Sequence, residues 1–187
     1  MSALEWISLL VMLVVAIGWY LSYTAARLDR LHTRVEGTFA ALDAQLIRRA
    51  EAALELANTN TLNPAASLIL ASAASDCLEE SVGSLEDAVH THANREIVES
   101  DLTEAMRLVL TQEAMDDLDG DPAVGADSLT RLDAAHRRVQ MARRFHNDAV
   151  TDVNRVRGNP LVRLFRLAGH AELPRTVDLD DDLSLLS

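Results

Sequence analysis

Lysine is absent from this chain, and cysteine occurs once, as Cys77. Aromatic residues make up only 4% of its 187 residues, with 7 glycines and 4 prolines. Each shortage excludes something. A lone cysteine cannot close an intramolecular disulfide, which fits a reducing compartment. Few aromatics and few turn formers, beside abundant Ala, Leu, Glu and Arg, argue against a β-rich fold and for an all-α chain. All 17 basic residues are arginine; we read this as coding bias, because either cation suits a solvated face. Also missing are a Gly-rich phosphate loop, a G-x-S-x-G elbow and an H-E-x-x-H helix, the common signatures of phosphate, acyl and zinc chemistry.

The net charge is −12, and its distribution says more than its total. Residues 62–127 set fifteen acids against Arg95 and Arg107, whereas residues 128–174 set nine arginines against four acids. The stretch from Arg175 onward is acidic again. The one basic region is small and interleaved with acids, so nucleic acid is not an expected partner.

Residues 7–21, ISLLVMLVVAIGWYL, carry no charge. Extended to 4–23, the run is long enough to cross a hydrocarbon core of roughly 30 Å as a helix. Trp6 stands at one end and Trp19, Tyr20 and Tyr23 at the other, where interfacial aromatics belong. A cleaved signal would carry its positive charge ahead of the apolar run, but only Glu5 precedes it and Arg27, Arg30 and Arg34 follow. We therefore expect an uncleaved single-pass anchor in the cell membrane, amino terminus outside and the remainder cytoplasmic.

Beyond the anchor, Leu28, Leu31, Val35, Phe39, Leu42, Leu46, Ala50, Ala53 and Ala57 repeat at 3-4-4 spacing. That is an eleven-residue period, which keeps a stripe on one face of a nearly straight helix. Asn63-Pro64 opens a second helix, with Leu68, Ala71, Ser75, Leu78, Val82, Leu85 and Val89 as its expected inner face. Asn94 is the expected cap of a third helix, with Val98, Leu102, Ala105 and Val109 inward. LDGDPAVGADS reads as a loop. A fourth helix from about Ser128 turns Leu132, Ala135, Val139, Ala142, His146, Ala149, Val153 and Val156 inward and ends at RGNP. The expected fold is all-α: a transmembrane helix (4–23, after a short segment 1–3) continuing into an antiparallel four-helix bundle (24–158). Residues 159–174 pair Leu161, Val162, Leu164, Phe165 and Leu167 with Arg163 and Arg166, after Arg155 and Arg157. This composition suits either an interfacial helix on an anionic leaflet or a cap on the bundle's open end. Residues 175–187 are expected to be a disordered acidic tail, with its acid–leucine alternation as a docking motif in the sharper reading.

Two acid-x-x-His pairs, Asp87 with His90 and Asp133 with His136, have the spacing of dimetal bundles. Both fall off the inner faces assigned above, and His90-x-His92 with Glu96 is a weak loop signal, so no metal and no cofactor are expected. Cys77 falls beside Leu78 with no cation near it in sequence and is expected to be a packing position. The acidic second and third helices read as a solvated face, with a partner surface as the sharper alternative.

Three stretches carry a resemblance. QMARRFHNDAVTDVNRVRGNPLVRLF resembles the carboxy-terminal motif of the LemA family. ALDAQLIRRA resembles that family's motif on the helix after its anchor, and LTEAMRLVL a weaker third segment. His146 stands where the family usually has tyrosine, and residues 51–95 lack the family's usual wording. The resemblance implies a membrane-anchored antiparallel helical bundle without an established activity. It marks Asp43, Gln45, Arg48 and Arg49 on the first helix, and Arg143, Arg144, Phe145, His146, Asn147 and Asp148 on the fourth. Gln45 and Arg49 flank the Leu42–Leu46 stripe, and Arg143 and Asn147 flank that of Ala142, His146 and Ala149. From this we expect a polar seam pairing the first and fourth helices; the alternative is an outward patch that receives a partner.

The expected function is a noncatalytic membrane-anchored interaction module, with an accessory subunit of a membrane protease or envelope-stress complex as the alternative, and no enzyme activity. Expected partners are the lipid bilayer, a membrane or cytoplasmic protein, and a further copy of the chain. Interface contacts are assigned to Trp6, Trp19, Tyr20, Tyr23, Arg27, Arg30, Arg163, Phe165 and Arg166.

Overall fold

The computed structural model describes residues 3–83, 91–111, 122–165 and 173–183. Among these residues there are five helices and no strand. They are α1 (Ala3–Asn58), α2 (Pro64–Gly83), α3 (Thr91–Val109), α4 (Pro122–Arg157) and the short α5 (Pro160–Leu164). The all-α expectation holds, and the apolar amino-terminal helix runs on without a break into the helical domain.

The helix ends follow from local chemistry. Thr59 donates its hydroxyl to the Leu56 carbonyl at 2.7 Å, and Asn60 adopts φ 55°, a left-handed conformation that asparagine tolerates. Asn63 then caps α2, its Oδ1 accepting from the Ala66 amide at 2.8 Å, while Pro64 has no amide hydrogen to leave unpaired. Asn159-Pro160 repeats the device at α5, where Asn159 Oδ1 accepts from the Leu161 amide at 3.0 Å.

Two starts differ from expectation. Thr91–Ala93 are already helical, ahead of the cap expected at Asn94, since none of these residues forbids helical backbone. α4 begins at Pro122, not Ser128. Proline suits a first helical turn, and Gly125 has a steric role there: a Cβ on it would stand 3.1 Å from Thr61 Cγ2.

The chain divides into two compact units. The larger comprises residues 39–145 and 177–187. Four helical stretches enclose its main core: Ala50, Ala53 and Leu56 of α1, Leu70, Ala74 and Cys77 of α2, Leu102 and Met106 of α3, and Leu129 and Leu132 of α4. Leu42 and Leu46 pack with Val139 and Leu179 in a second cluster. The smaller unit comprises residues 1–38 and 146–176, with Leu28, Val153 and Val162 buried together. In this unit every residue from Leu4 to Tyr20 is exposed. α1 is the one helix, among the described residues, long and apolar enough to cross a membrane.

The stripe on α1 is as expected from Leu42 to Ala57, although Phe39 stays exposed. On α2 the face is rotated. Ala66, Leu70, Ala74 and Cys77 are buried while Leu68 is 71% exposed. α3 buries Leu102, Ala105 and Val109, but also Arg95, Glu99 and Thr103, leaving Ile97 and Leu108 outside. The segment expected to be a disordered tail is instead extended and docked over residues 177–183, with Leu179 and Leu183 in the two clusters. Of the segment 159–174, residues 166–172 lie outside the described residues, as does the Asp87/His90 pair.

Candidate functional site

The most concentrated chemistry in the larger unit is a set of charges inside the bundle. Arg49 on α1 is 0% exposed. Its Nη2 donates to Glu99 Oε2 at 2.7 Å and to the Glu99 carbonyl at 2.8 Å, and Nη1 donates to Thr103 Oγ1 at 3.1 Å. Glu99 is equally enclosed, and its other oxygen lies 3.0 Å from Arg95 Nε. Arg95 reaches outward to Asp43 Oδ1 at 3.1 Å, and Asp43 is 42% exposed. One carboxylate thus sits between two guanidiniums, in a chain that leads from the core to solvent.

The seam expected between the first and fourth helices therefore takes a different course. Asp43 and Arg49 find their partners on α3, because Arg95, Glu99 and Thr103 recur at four-residue spacing along its inner face. Arg143 on α4 pairs with Asp181, through Nε to Oδ2 and Nη2 to Oδ1, both at 2.7 Å. α1 meets α4 through apolar packing of Leu42 and Leu46 with Val139 and Ala142, the exposed pairs Arg131–Glu55 at 2.7 Å and Arg34–Asp152 at 3.2 Å, and a polar motif residue. That residue is His146, which is buried as expected, with Nδ1 3.3 Å from Thr38 Oγ1. Gln45 and Asn147 are half-buried; Arg48, Arg144 and Asp148 are exposed, as is Phe145 at 57%. The motif also straddles the two units, ending one at Phe145 and opening a segment of the other at His146.

The proposed interfacial residues lie in the smaller unit. Trp6, Trp19, Tyr20, Tyr23, Arg27, Arg30, Arg163 and Phe165 are all exposed; Arg166 lies outside the described residues. α5 turns Val162 into the core and leaves Leu161 and Leu164 outside, together with Phe165 just after it.

Cys77 is in the core, not beside it, and its thiol donates to the Val98 carbonyl at 3.2 Å. Burial, seconded by the Glu99 charge, pushes its pKa up to about 12 despite Arg49 and Arg95. The thiolate needed for nucleophilic or redox chemistry is thus suppressed at neutral pH.

His136 corrects the sequence reading, which placed it off the inner face. It is 3% exposed, with Nε2 3.0 Å from the Asp181 carbonyl. Asp133 is held by Arg137 on its own helix, Nε to Oδ2 at 2.9 Å. Desolvation, with help from the Arg49 charge, lowers the His136 pKa below 6.5. The folded form therefore binds fewer protons than the unfolded form between the two pKa values. Its contribution to stability is complete above about pH 6.5 and is lost as pH falls through the folded value. The unfolding free energy from urea titration should drop on going from pH 7.5 to 5.5, by no more than about 1.4 kcal/mol per pH unit for this one proton. His136→Gln should flatten that slope; a slope unchanged by the substitution would remove His136 as its source.

Comparison with protein-family models, with curated proteins and with solved structures finds no match. Of the residues that the sequence reading did not single out for this site, Arg95, Glu99 and Thr103 were visible only as a helical register shifted by one on α3 and Asp181 as a period of two in the tail, while Gln140 on α4 carried no signal.

Proposed function

We propose that this chain is a noncatalytic single-pass membrane protein that presents a LemA-like helical bundle to the cytoplasm as an interaction module. The observation that carries this reading is the run of exposed apolar side chains from Leu4 to Tyr20 on a helix continuous with the bundle. Fourteen such side chains in water would be a large uncompensated apolar surface; in a bilayer they are satisfied. Charge supports the orientation. The smaller unit, which holds the anchor, sets eight arginines against six acids, whereas the larger sets nine against twenty-three. Cations next to the anchor favour the cytoplasmic side and attract anionic headgroups, and an acidic body is repelled from them.

Within the bundle the ionised residues serve each other. Arg49 and Arg95 are neutralised by Glu99 and Asp43, and Cys77 is held as a thiol, which supports an interaction role over a reaction. In-membrane crosslinking with mass spectrometry tests this. We expect a recurrent protein, or a second copy, linked through residues of the larger unit. Links confined to lipid or to the anchor would contradict the module reading.

A further inference from the structure

The docked segment 177–183 has the geometry of a bound peptide. Its side chains alternate: Leu179, Asp181 and Leu183 are buried while Asp178, Asp180 and Asp182 are exposed, the period of an extended strand. Leu179 enters the cluster of Leu42, Leu46 and Val139, and Leu183 enters the main core. Between them the Asp181 carboxylate meets Arg143 in a bidentate pair, the most directional of the charge-assisted contacts. The Asp181 carbonyl accepts from Gln140 Nε2 at 2.6 Å and faces His136 Nε2. Along α3, the Asp178 amide donates to Glu96 Oε1 and the Asp180 amide to Ser100 Oγ, each at 3.2 Å. Further along, Arg107 Nη2 donates to Asp180 Oδ2 at 3.1 Å and to the Asp182 carbonyl at 2.7 Å.

This docking runs against the overall field. Residues 39–145 already hold nineteen acids against nine arginines, yet they receive four more aspartates in residues 178–182. Long-range repulsion opposes the tail, so two leucine pockets and the local cations Arg143 and Arg107 must hold it. Such a seat discriminates by pattern and not by net charge.

We propose that the groove between α3 and α4 is a recognition site for an extended Leu-x-Asp-x-Leu peptide, with the tail as its resident ligand and a partner's segment of that pattern as its ligand in trans. The proposal rests on the module reading and names the surface and chemistry of the partner. Occupied by the tail, the groove is closed to competitors; release of residues 177–183 exposes Arg143, His136, Gln140 and both leucine pockets together.

The test uses the full membrane protein and a variant ending at Thr176, each in detergent micelles, with a fluorescent peptide of residues 175–187. The shortened variant should bind the peptide at least ~10-fold more tightly than the full chain, as the intramolecular ligand competes at high effective concentration. Asp181→Asn or Leu179→Ala in the peptide, or Arg143→Ala in the protein, should each weaken binding ~10-fold. Absence of saturable binding to a shortened variant with wild-type circular dichroism would overturn the proposal. Should shortening unfold the bundle, a protease site placed after Glu172 in the full chain serves instead. After cleavage, a tail that stays bound and is displaced by labelled peptide supports the groove, and a tail lost at once with no peptide captured overturns it. Dimers of the full chain that vanish with Asp181→Asn would support the groove, with a second copy as donor. Neither result alters membrane crosslinks from the rest of the larger unit, so failure of the peptide leaves the module reading standing.

Discussion

Glu99→Gln should lose roughly 3 to 5 kcal/mol of unfolding free energy, the cost of breaking a buried ion pair by removing one partner. The substitution preserves volume, so no cavity confuses the result. What it removes is the single carboxylate between Arg49 and Arg95. Arg49 is then left fully enclosed with only the Thr103 hydroxyl, the Glu99 carbonyl and a neutral amide around it, and an uncompensated charge in that position is expensive. Arg49→Met should cost less than Glu99→Gln, because Glu99 keeps Arg95 as a counterion and methionine follows the arginine stem. Asp43→Asn should cost no more than about 1 kcal/mol, since that end of the chain of charges is solvated and surface pairs contribute little. Urea titration followed by far-ultraviolet circular dichroism gives the order. Equal losses for Glu99→Gln and Asp43→Asn would refute the network as drawn.

Deletion of Leu4–Tyr23 should abolish carbonate-resistant membrane association while keeping the helical signal of the bundle. Residues 4–20 are all exposed, so removing them takes away no core. The deleted protein should still bind vesicles rich in anionic lipid, weakly and in a salt-sensitive manner, through α5 and the arginines around it. Leu164→Asp with Phe165→Asp should remove this residual binding. Retention of the deleted protein in carbonate-washed membranes would mean that the anchor lies elsewhere, and loss of its helical signal would mean that residues 4–23 belong to the fold. A milder substitution, Val14→Arg, should disfavour insertion by about 2.5 to 3.5 kcal/mol.

These outcomes bear on how far the sequence could be read. The stripe on α1 from Leu42 to Ala57, the cap at Asn63 and the long apolar helix at the amino terminus were legible because each depends on residues close together in the chain. The face of α2 was not. Leu68, Ile69, Leu70 and Ala71 are consecutive, so several registers bury similar area, and the choice fell to what α3 offers opposite them. Arg49 was marked by its motif, but its partner lies fifty residues away on a helix whose charges looked solvated; four-residue spacing of Arg95, Glu99 and Thr103 was the available sign. The tail misled for a related reason. Alternating acids and leucines mean disorder in isolation and a bound strand once two apolar pockets and Arg143 stand at matching intervals.

The central claim, a bundle held on the cytoplasmic side by one membrane helix, is tested most directly by thiol topology. Cys77 is buried and its pKa is pushed up to about 12, so the native cysteine stays silent and can be left in place. A cysteine introduced by Ser72→Cys, at an exposed position on α2, should resist a membrane-impermeant maleimide in intact spheroplasts and react once the membrane is opened. A tag at the amino terminus should be accessible throughout. Labelling of the Ser72→Cys protein in intact spheroplasts, with the tag protected, would contradict the account.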